Sequence, residues 1–167
     1  MFFKLIFSLF IYLFSFYASA NDNSVLLFNN SPKKIENLLL KDIDGSEKKI
    51  SDLSKNFIVL NFWATWCPPC IKEIPDLIKI DNTFKKKLKV IFISVDSSPK
   101  PIKKFLKKNK FKNFELFLDQ NLSTAGKLDV KIMPTTIIID SDLNEIARVE
   151  GYIDWLSEEN IEKLQKL

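Results

Sequence analysis

The sequence contains no histidine, two cysteines and three glycines among its 167 residues. Without histidine, the chain cannot form a Ser-His-Asp or Cys-His catalytic centre, a facial-triad iron site or a histidine-ligated haem. Two cysteines cannot supply four ligands to a zinc ion within one chain. Three glycines leave no Walker loop and no dinucleotide-binding fingerprint. These absences exclude many common hydrolases, metalloenzymes and nucleotide-binding proteins.

Arginine is almost absent as well, since Arg148 is its one occurrence among 25 basic residues. The 21 acidic residues leave a formal charge of +4, and bidentate recognition of phosphate or guanine has almost no material. The lysine runs over residues 85–89 and 103–112 are explained by solvated helix faces. We therefore expect no nucleic-acid partner. A chain of this length with 46% apolar residues can form one domain with a buried core.

The first twenty residues form a separate segment. Lys4 precedes an uncharged apolar run from Leu5 to Tyr17, and Ala18-Ser19-Ala20 is the small-x-small pattern that a signal peptidase cleaves. At about 13 residues, the run is short for a membrane span. We predict a signal peptide over residues 1–20, with an uncleaved anchor as the alternative. Both alternatives place the domain outside the cytoplasm, in the periplasm or another extracytoplasmic compartment. The second also tethers the domain to the inner membrane.

The segment that follows is polar, apart from a short apolar island at Val25–Phe28. We interpret residues 21–34 as a polar tether or a loose edge segment, and residues 35–167 as the folded domain. Within the domain, Ile35–Leu40 and Lys48–Ile50 flank a turn signal at residues 42–45. This pattern predicts a β-hairpin before the main core.

Apolar runs of strand length then alternate with segments of helical periodicity. We predict strands over residues 57–63, 90–95, 114–118 and 135–139, the last extended as a hairpin by residues 147–149. Helices are predicted over residues 68–87, 101–110 and 121–127, and a final helix begins near Ser157, a suitable N-cap. Uninterrupted apolar strands separated by helices indicate an α/β fold whose sheet is covered on both faces.

The strand over residues 57–63 runs directly into Ala64-Thr65-Trp66-Cys67-Pro68-Pro69-Cys70. Cys67 is expected at the helix N-terminus, where unpaired N–H groups and the helix dipole stabilise a thiolate. Cys70 lies one turn deeper, where it can attack a mixed disulfide on Cys67. Trp66 is expected to form an apolar lip beside an exposed Cys67 sulfur. The spacing predicts a redox pair with Cys67 as the nucleophile and Cys70 as the resolving thiol.

Three other readings of the cysteine pair remain open at this point. A zinc site shared between two chains would need a symmetric partner. A purely structural disulfide would close so short a loop that it removes little entropy from the unfolded chain. A peroxidatic cysteine would need a resolving partner placed elsewhere in the chain.

The stretch NFWATWCPPCIKEIP resembles the thioredoxin superfamily, and specifically its TlpA/ResA-like branch of extracytoplasmic thiol–disulfide oxidoreductases. The resemblance runs from about Ile35 to the C-terminus and includes Gly45, Val95-Asp96 and the segment 133–136. It implies a thioredoxin-like fold, with a mixed central sheet flanked by helices. An N-terminal β-hairpin and an inserted helix–strand segment near residues 97–120 are also implied. No cofactor and no metal are expected.

The resemblance also implies roles for further residues. Pro134 matches the cis-proline that lies against the active-site disulfide, and the backbone of Met133 would bind an extended substrate segment beside Trp66. Glu73 matches a carboxylate that is held near the two sulfurs and influences their proton exchange. Thioredoxins usually have a buried Asp where this chain has Asn61. Because an amide cannot shuttle a proton, that task would pass to Glu73 or to water, or no group would perform it.

The resemblance favours reduction of protein disulfides outside the cytoplasm, with apocytochrome c during cytochrome maturation as the favoured substrate. The electrons would then come from a membrane-bound thiol protein. One alternative is a DsbA-like oxidant, which works in the opposite direction. Another is a non-enzymatic binding module that holds a partner in the groove around Trp66, Met133 and Pro134.

Overall fold

The computed structural model describes residues 25–53, 56–111 and 115–167. The predicted leader, residues 1–20, lies outside this range. The strands are β1 (Phe28–Lys34), β2 (Leu39–Lys41), β3 (Glu47–Lys49), β4 (Phe57–Trp63), β5 (Leu88–Ser94), β6 (Glu115–Leu118), β7 (Thr135–Asp140) and β8 (Asn144–Glu150). The helices are α1 (Pro68–Thr83), α2 (Pro99–Asn109), α3 (Ser123–Lys127) and α4 (Glu158–Lys166), with a 3₁₀ turn over Ile50–Leu53.

Six strands form one mixed sheet in the order β1-β8-β7-β4-β5-β6. Strands β4, β5 and β6 are parallel, whereas β7 runs antiparallel to β4, and β8 and β1 continue the antiparallel side. Strands β2 and β3 form a separate hairpin. Helix α2 and strand β6 are the inserted helix–strand segment. The expected α/β, thioredoxin-like architecture is therefore confirmed.

The central strands are largely apolar because both sides of the sheet are covered. On what we call the site face, alternate residues of β4 and β5 pack with helices α1, α2 and α4, as in the cluster of Val59, Trp63, Ile74, Phe92, Ile102 and Leu164. On the hairpin face, the intervening residues pack with the hairpin and α3, as in the cluster of Leu40, Ile58, Leu60, Phe62, Ile93 and Ala125.

The chain joins the domain earlier than the predicted boundary at residue 35. Leu26 is fully buried in the site-face cluster, and its N–H donates to Asn160 Oδ1 at 2.8 Å. Strand β1 then pairs with β8 at the edge of the sheet. All residues of β1 are exposed. An exposed edge strand can have a polar sequence, and such a sequence also suits a tether. Of the two interpretations of residues 21–34, the structure shows an edge segment from Phe28 onward.

Helix α1 is shorter than the predicted range of residues 68–87. It ends at Thr83, and the N–H of Phe84 donates to the carbonyl of Ile80 at 2.9 Å. A turn then leads into β5 at Leu88, so the lysines between them belong to a connection whose composition also suits a helix. The predicted final helix is confirmed, since the Ser157 side chain accepts a hydrogen bond from the N–H of Asn160. Within the described ranges, no helix has the length and apolar character to cross a membrane.

Candidate active site

Strand β4 delivers Cys67 to the first turn of α1. Cys67 is the N-cap residue with extended backbone (φ −102°, ψ 100°), and Pro68 and Pro69 occupy the first two helical positions. Proline is tolerated there because those positions have no intrahelical partner for an N–H. The N–H of Cys70 donates to Cys67 Sγ at 3.4 Å. The expected placement of the motif at a helix N-terminus is confirmed.

Cys67 and Cys70 form a disulfide, with their Cα atoms 5.3 Å apart. The two residues differ in access to solvent, since Cys67 is 4% exposed and Cys70 is 0% exposed. An incoming thiolate or disulfide can therefore reach Cys67 but not Cys70. The Cys67 sulfur is more sheltered than the sequence suggested, whereas the neighbouring Trp66 is 66% exposed and forms an apolar projection beside it.

The loop before Cys67 is fastened by Asp96, which follows β5 at the same edge of the sheet. Its side chain is buried and accepts hydrogen bonds from the N–H of Thr65 at 3.0 Å and from Thr65 Oγ1 at 2.7 Å. Ser94 Oγ donates a third hydrogen bond at 2.7 Å. Asp96 is one of the residues that carry the family resemblance, but no role was predicted for it. A lone acidic residue directly after a buried parallel strand is the signal that could have indicated one.

The segment around Pro134 lies beside this loop because Thr135 of β7 pairs with Phe62 of β4. The Met133–Pro134 peptide bond is cis, as the resemblance implied. Met133 is partly buried against the site-face cluster that contains both cysteines. Ile132, which was not singled out from the sequence, is 48% exposed and directly precedes Met133.

Glu73 is buried on the first turns of α1, three residues after Cys70 and therefore on the same helix face. Asn61 Nδ2 donates to its Oε1 at 2.6 Å, and Trp155 Nε1 donates to its Oε2 at 3.0 Å. Burial raises the pKa of Glu73 to about 7, against the lowering effect of the hydrogen bonds from Trp155 and Asn61, and the charge of Asp76 also raises it. At neutral pH this carboxyl can therefore both accept and give up a proton.

Asn61 connects Glu73 to the neighbouring strand. Its Nδ2 also donates to Thr136 Oγ1 at 2.9 Å, since Asn61 and Thr136 are register partners on β4 and β7. Its Oδ1 has no hydrogen-bond partner among the described residues. Sequence analysis identified the Asn61 position but missed Trp155, which reaches Glu73 from a loop 82 residues later. No local pattern in the sequence could have paired them.

The described residues contain no group of three or more His, Cys, Asp or Glu side chains placed to hold a metal ion. The reactive groups of the site are the two sulfurs, which can transfer two electrons as their disulfide opens or closes. The buried carboxyl of Glu73 is the titratable group that follows them on the same helix.

Comparison with known proteins agrees with this chemistry. The model of the AhpC/TSA family matches residues 32–147. The thiol-disulfide oxidoreductase ResA of Bacillus cereus is 30% identical over 120 residues, which cover 71% of this chain and 69% of the relative. ResA of Bacillus subtilis is 32% identical over 116 residues, covering 69% of this chain and 64% of the relative.

Two solved structures show the same fold. A protein assigned as thiol:disulfide interchange protein DsbE from Chlorobium tepidum superposes with a TM-score of 0.73 at 24% identity, covering 86% of this chain and 98% of the other. The exposed lipoprotein thioredoxin of Streptococcus pneumoniae gives a TM-score of 0.68 at 22% identity, covering 79% and 100%. With its buried Cys67–Cys70 pair and these relatives, the chain belongs to the AhpC/TSA family and is a thiol-disulfide oxidoreductase with a thioredoxin-like fold.

Proposed function

We propose that this protein works as a reductant of disulfides in other extracytoplasmic proteins. The observation that carries the proposal is the sparse stabilisation of the Cys67 sulfur. Its one described hydrogen bond comes from the N–H of Cys70, at 3.4 Å. Pro68 and Pro69 have no N–H to offer. A thiolate that is weakly stabilised makes the dithiol a better electron donor, because the reduced form gains little over the disulfide.

The charged groups around the pair favour the same direction. Lys72, on the first turns of α1, lies over the Tyr152 ring at 4.1 Å from its centroid. The chain has no histidine to place a cation within the motif. Glu73 lies on the Cys70 side of the helix, and its negative charge opposes a thiolate on either sulfur when the carboxyl is ionised. The lack of a histidine cation and the negative charge of Glu73 both stabilise the disulfide relative to the dithiol.

The reaction transfers two electrons and two protons. The Cys67 thiolate attacks one sulfur of the substrate disulfide, forms a mixed disulfide and expels the other substrate sulfur as a thiolate, which takes up a proton. Cys70 loses its proton to Glu73 and attacks Cys67 Sγ. This second step closes the Cys67–Cys70 disulfide and releases the second substrate thiolate, which is protonated in turn. Glu73 suits the task because its pKa, raised to about 7 by burial, lies near that of a thiol.

Substrate contact is assigned to Trp66, Met133 and Pro134. The assignment is supported by the antiparallel pairing of β4 with β7, which brings the loop that carries Trp66 and Cys67 beside the segment that carries Met133 and Pro134. Trp66 offers an exposed ring, and the Met133 backbone is free of strand pairing because β7 begins at Thr135. An extended substrate segment can therefore align there. The proposed substrate is apocytochrome c, whose oxidised haem-attachment cysteines need reduction before haem is attached.

The proposed location is outside the cytoplasm, in the periplasm, with the leader as a membrane anchor if it is retained. Leu26 is already locked into the core by its hydrogen bond to Asn160. Leu26 is six positions after Ala20, and six residue steps span at most about 22 Å. A retained leader would therefore hold the domain close to the membrane, where a membrane-bound thiol protein can return electrons to the Cys67–Cys70 disulfide.

A trapping experiment tests the proposal. The Cys70→Ser variant keeps the attacking thiol and lacks the resolving one, so it should accumulate a mixed disulfide with an oxidised Cys-X-X-Cys-His peptide. The matched Cys67→Ser variant should trap none, because its remaining thiol is buried. The reduced wild-type protein should convert the peptide to its dithiol in a one-to-one ratio. A wild-type protein that exchanges no electrons with the peptide or with dithiothreitol would establish the binding-module alternative instead.

A further inference from the structure

Trp155 makes a polar contact that the reaction described above does not use. It lies between β8 and α4, and its side chain is 1% exposed. Its indole Nε1 donates to Glu73 Oε2 at 3.0 Å. Tryptophan is a large apolar residue whose N–H usually finds a partner when buried. Here the partner is the carboxyl closest in sequence to the resolving cysteine.

The two donors to Glu73 differ in what they can offer. Asn61 carries both a donor and an acceptor at the end of its side chain, and reversing the amide exchanges them. In the observed orientation its Nδ2 donates to Glu73 Oε1 and to Thr136 Oγ1, and the reversed amide would present Oδ1 to both. The indole of Trp155 can only donate. Asn61 can therefore change its role when the carboxyl gains a proton, whereas Trp155 favours the ionised form in every case.

Trp155 is held in place by contacts that do not involve the cysteines. Its neighbour Asp154 accepts a hydrogen bond from Asn160 Nδ2 at 2.8 Å through its carbonyl. Asn160 Oδ1 in turn accepts from the N–H of Leu26 at 2.8 Å. The ring packs in the site-face cluster with Leu26 and Leu164. The indole N–H is therefore a fixed donor and not a mobile side chain that happens to meet the carboxyl.

We propose that Trp155 is a positioning residue for thiol–disulfide exchange, whose indole N–H holds the Glu73 carboxyl on the Cys70 side of helix α1 and keeps it able to accept a proton. The inference rests on the proposed role of Glu73 in proton exchange. Removing the indole N–H should make the carboxyl retain its proton to higher pH, because the lost hydrogen bond favoured the ionised form. Cys70 would then lack its proton acceptor at neutral pH.

The other charged groups near Glu73 remain the same in the variants used for the test. On α1 the charge that acts on Glu73 is that of Asp76, and Lys72 and Lys79 act on Asp76. From the loop that carries Trp155, Asp154 acts on Asp76 as well. The facing residues of β4 and β7 are the uncharged Asn61 and Thr136. A change in the titration of Glu73 can therefore be assigned to the indole contact.

The chain offers a matched control in Trp63. This residue is also fully buried in the site-face cluster, and it packs on Phe105 with ring centroids 5.1 Å apart. Its Nε1 has no hydrogen-bond partner among the described residues. Trp63→Phe and Trp155→Phe remove the same atoms from the same cluster, but one loses a hydrogen bond to Glu73 and the other does not.

The experiment follows the side-chain carboxyl carbon of Glu73 by carbon-13 NMR as a function of pH in the oxidised protein. Trp155→Phe should raise the midpoint by about one pH unit, since a hydrogen bond to a charged group is lost. Trp63→Phe should leave the midpoint unchanged. If Trp155→Phe folds poorly, 3-benzothienylalanine at position 155 keeps the ring shape and removes the N–H. Equal midpoints for the substitutions at positions 63 and 155 would overturn the inference.

A second readout connects the contact to the thiols. In the reduced protein, Trp155→Phe should shift the pH dependence of alkylation by about as much as it shifts the Glu73 midpoint. In a Glu73→Gln background the same substitution should have no further effect. A shift that persists without Glu73 contradicts the inference. Because the NMR titration needs no substrate, a protein that shows the expected shift but reduces no disulfide would refute the proposed function alone.

Discussion

On the hairpin face of β4, Ile58, Leu60 and Phe62 pack against buried aliphatic and aromatic side chains. On the site face of the same strand, Asn61 stands between Val59 and Trp63 and contacts a buried carboxyl. The backbone is common to both, so the difference is one of side-chain chemistry. The hairpin face gains its stability by removing apolar surface from water.

On the site face, the burial of Glu73 reduces the stability that apolar burial supplies. Glu73 is 0% exposed, and its raised pKa means that its ionised form is disfavoured by burial more than its two hydrogen bonds favour it. The comparison shows that the hairpin face of β4 supplies only apolar side chains, whereas the site face combines apolar burial with a titratable group whose environment changes its chemistry. Three experiments test this division, from the largest expected effect to the smallest.

Leu60→Ala should cause the largest loss of stability. Leu60 is fully buried on the hairpin face, and truncation of such a residue costs about 2–5 kcal/mol through lost burial and the cavity left behind. Urea denaturation measures this loss. The pH dependence of alkylation of the reduced cysteines should stay as in the wild type. A loss well below 1 kcal/mol, or a shifted alkylation profile, would show that the two faces are not separate in this way.

Glu73→Gln should change how stability depends on pH. Because burial raises the pKa of Glu73 from 4.5 to about 7, the folded protein binds this proton more tightly than the unfolded chain does. Stability therefore falls as pH rises from about 4.5 to 7, by about 3 kcal/mol from this group. The variant should lack that decrease and become the more stable protein above pH 7.

Urea denaturation of the oxidised proteins between pH 4 and 8 measures the effect of Glu73→Gln. Glu162→Gln, on the exposed side of α4, removes the same charge without burial and should follow the wild-type curve. If the stability of Glu73→Gln also has the same pH dependence as that of the wild type from pH 4 to 8, burial does not disfavour the ionised form of Glu73 as described above.

The smallest effect is expected from a pair of neighbouring substitutions on β7. Thr136→Val removes the hydroxyl that accepts from Asn61 Nδ2, and Ile137→Val removes one methyl group from the hairpin face. Each should cost about 1 kcal/mol in urea denaturation. The pH dependence of alkylation should change with Thr136→Val alone, because only that residue is connected to Glu73. If both variants changed the pH dependence of alkylation equally, the two faces would not differ in their connection to Glu73.

Much of the fold could be predicted because the central strands correspond to apolar runs in the sequence. Strand β4 was predicted with its observed bounds, and Ser157 was recognised as a cap from its residue type and the acidic residues after it. The ends that were missed lie where composition does not distinguish two structures. The lysines after Thr83 suit either a helix or a connection, and the polar residues of β1 suit either a tether or an exposed edge strand.

The site divides in the same way. Cys67 and Cys70 are three positions apart in the sequence, so their pairing and their position at the helix N-terminus follow from local spacing. Pro134 was placed through the family resemblance. The environment of Glu73 could not be predicted, because it depends on Asn61 and Trp155, which come from other parts of the chain. A buried carboxyl and an exposed helix glutamate have the same sequence, and they differ only in what the fold brings against them.

The reduction potential of the Cys67–Cys70 pair tests the central claim most directly. Equilibration of the purified protein with glutathione buffers of graded ratio gives this potential. The account predicts a value nearer that of thioredoxin, about −270 mV, than that of DsbA, about −120 mV. A potential above roughly −150 mV would contradict the reductant assignment and identify an oxidant in its place.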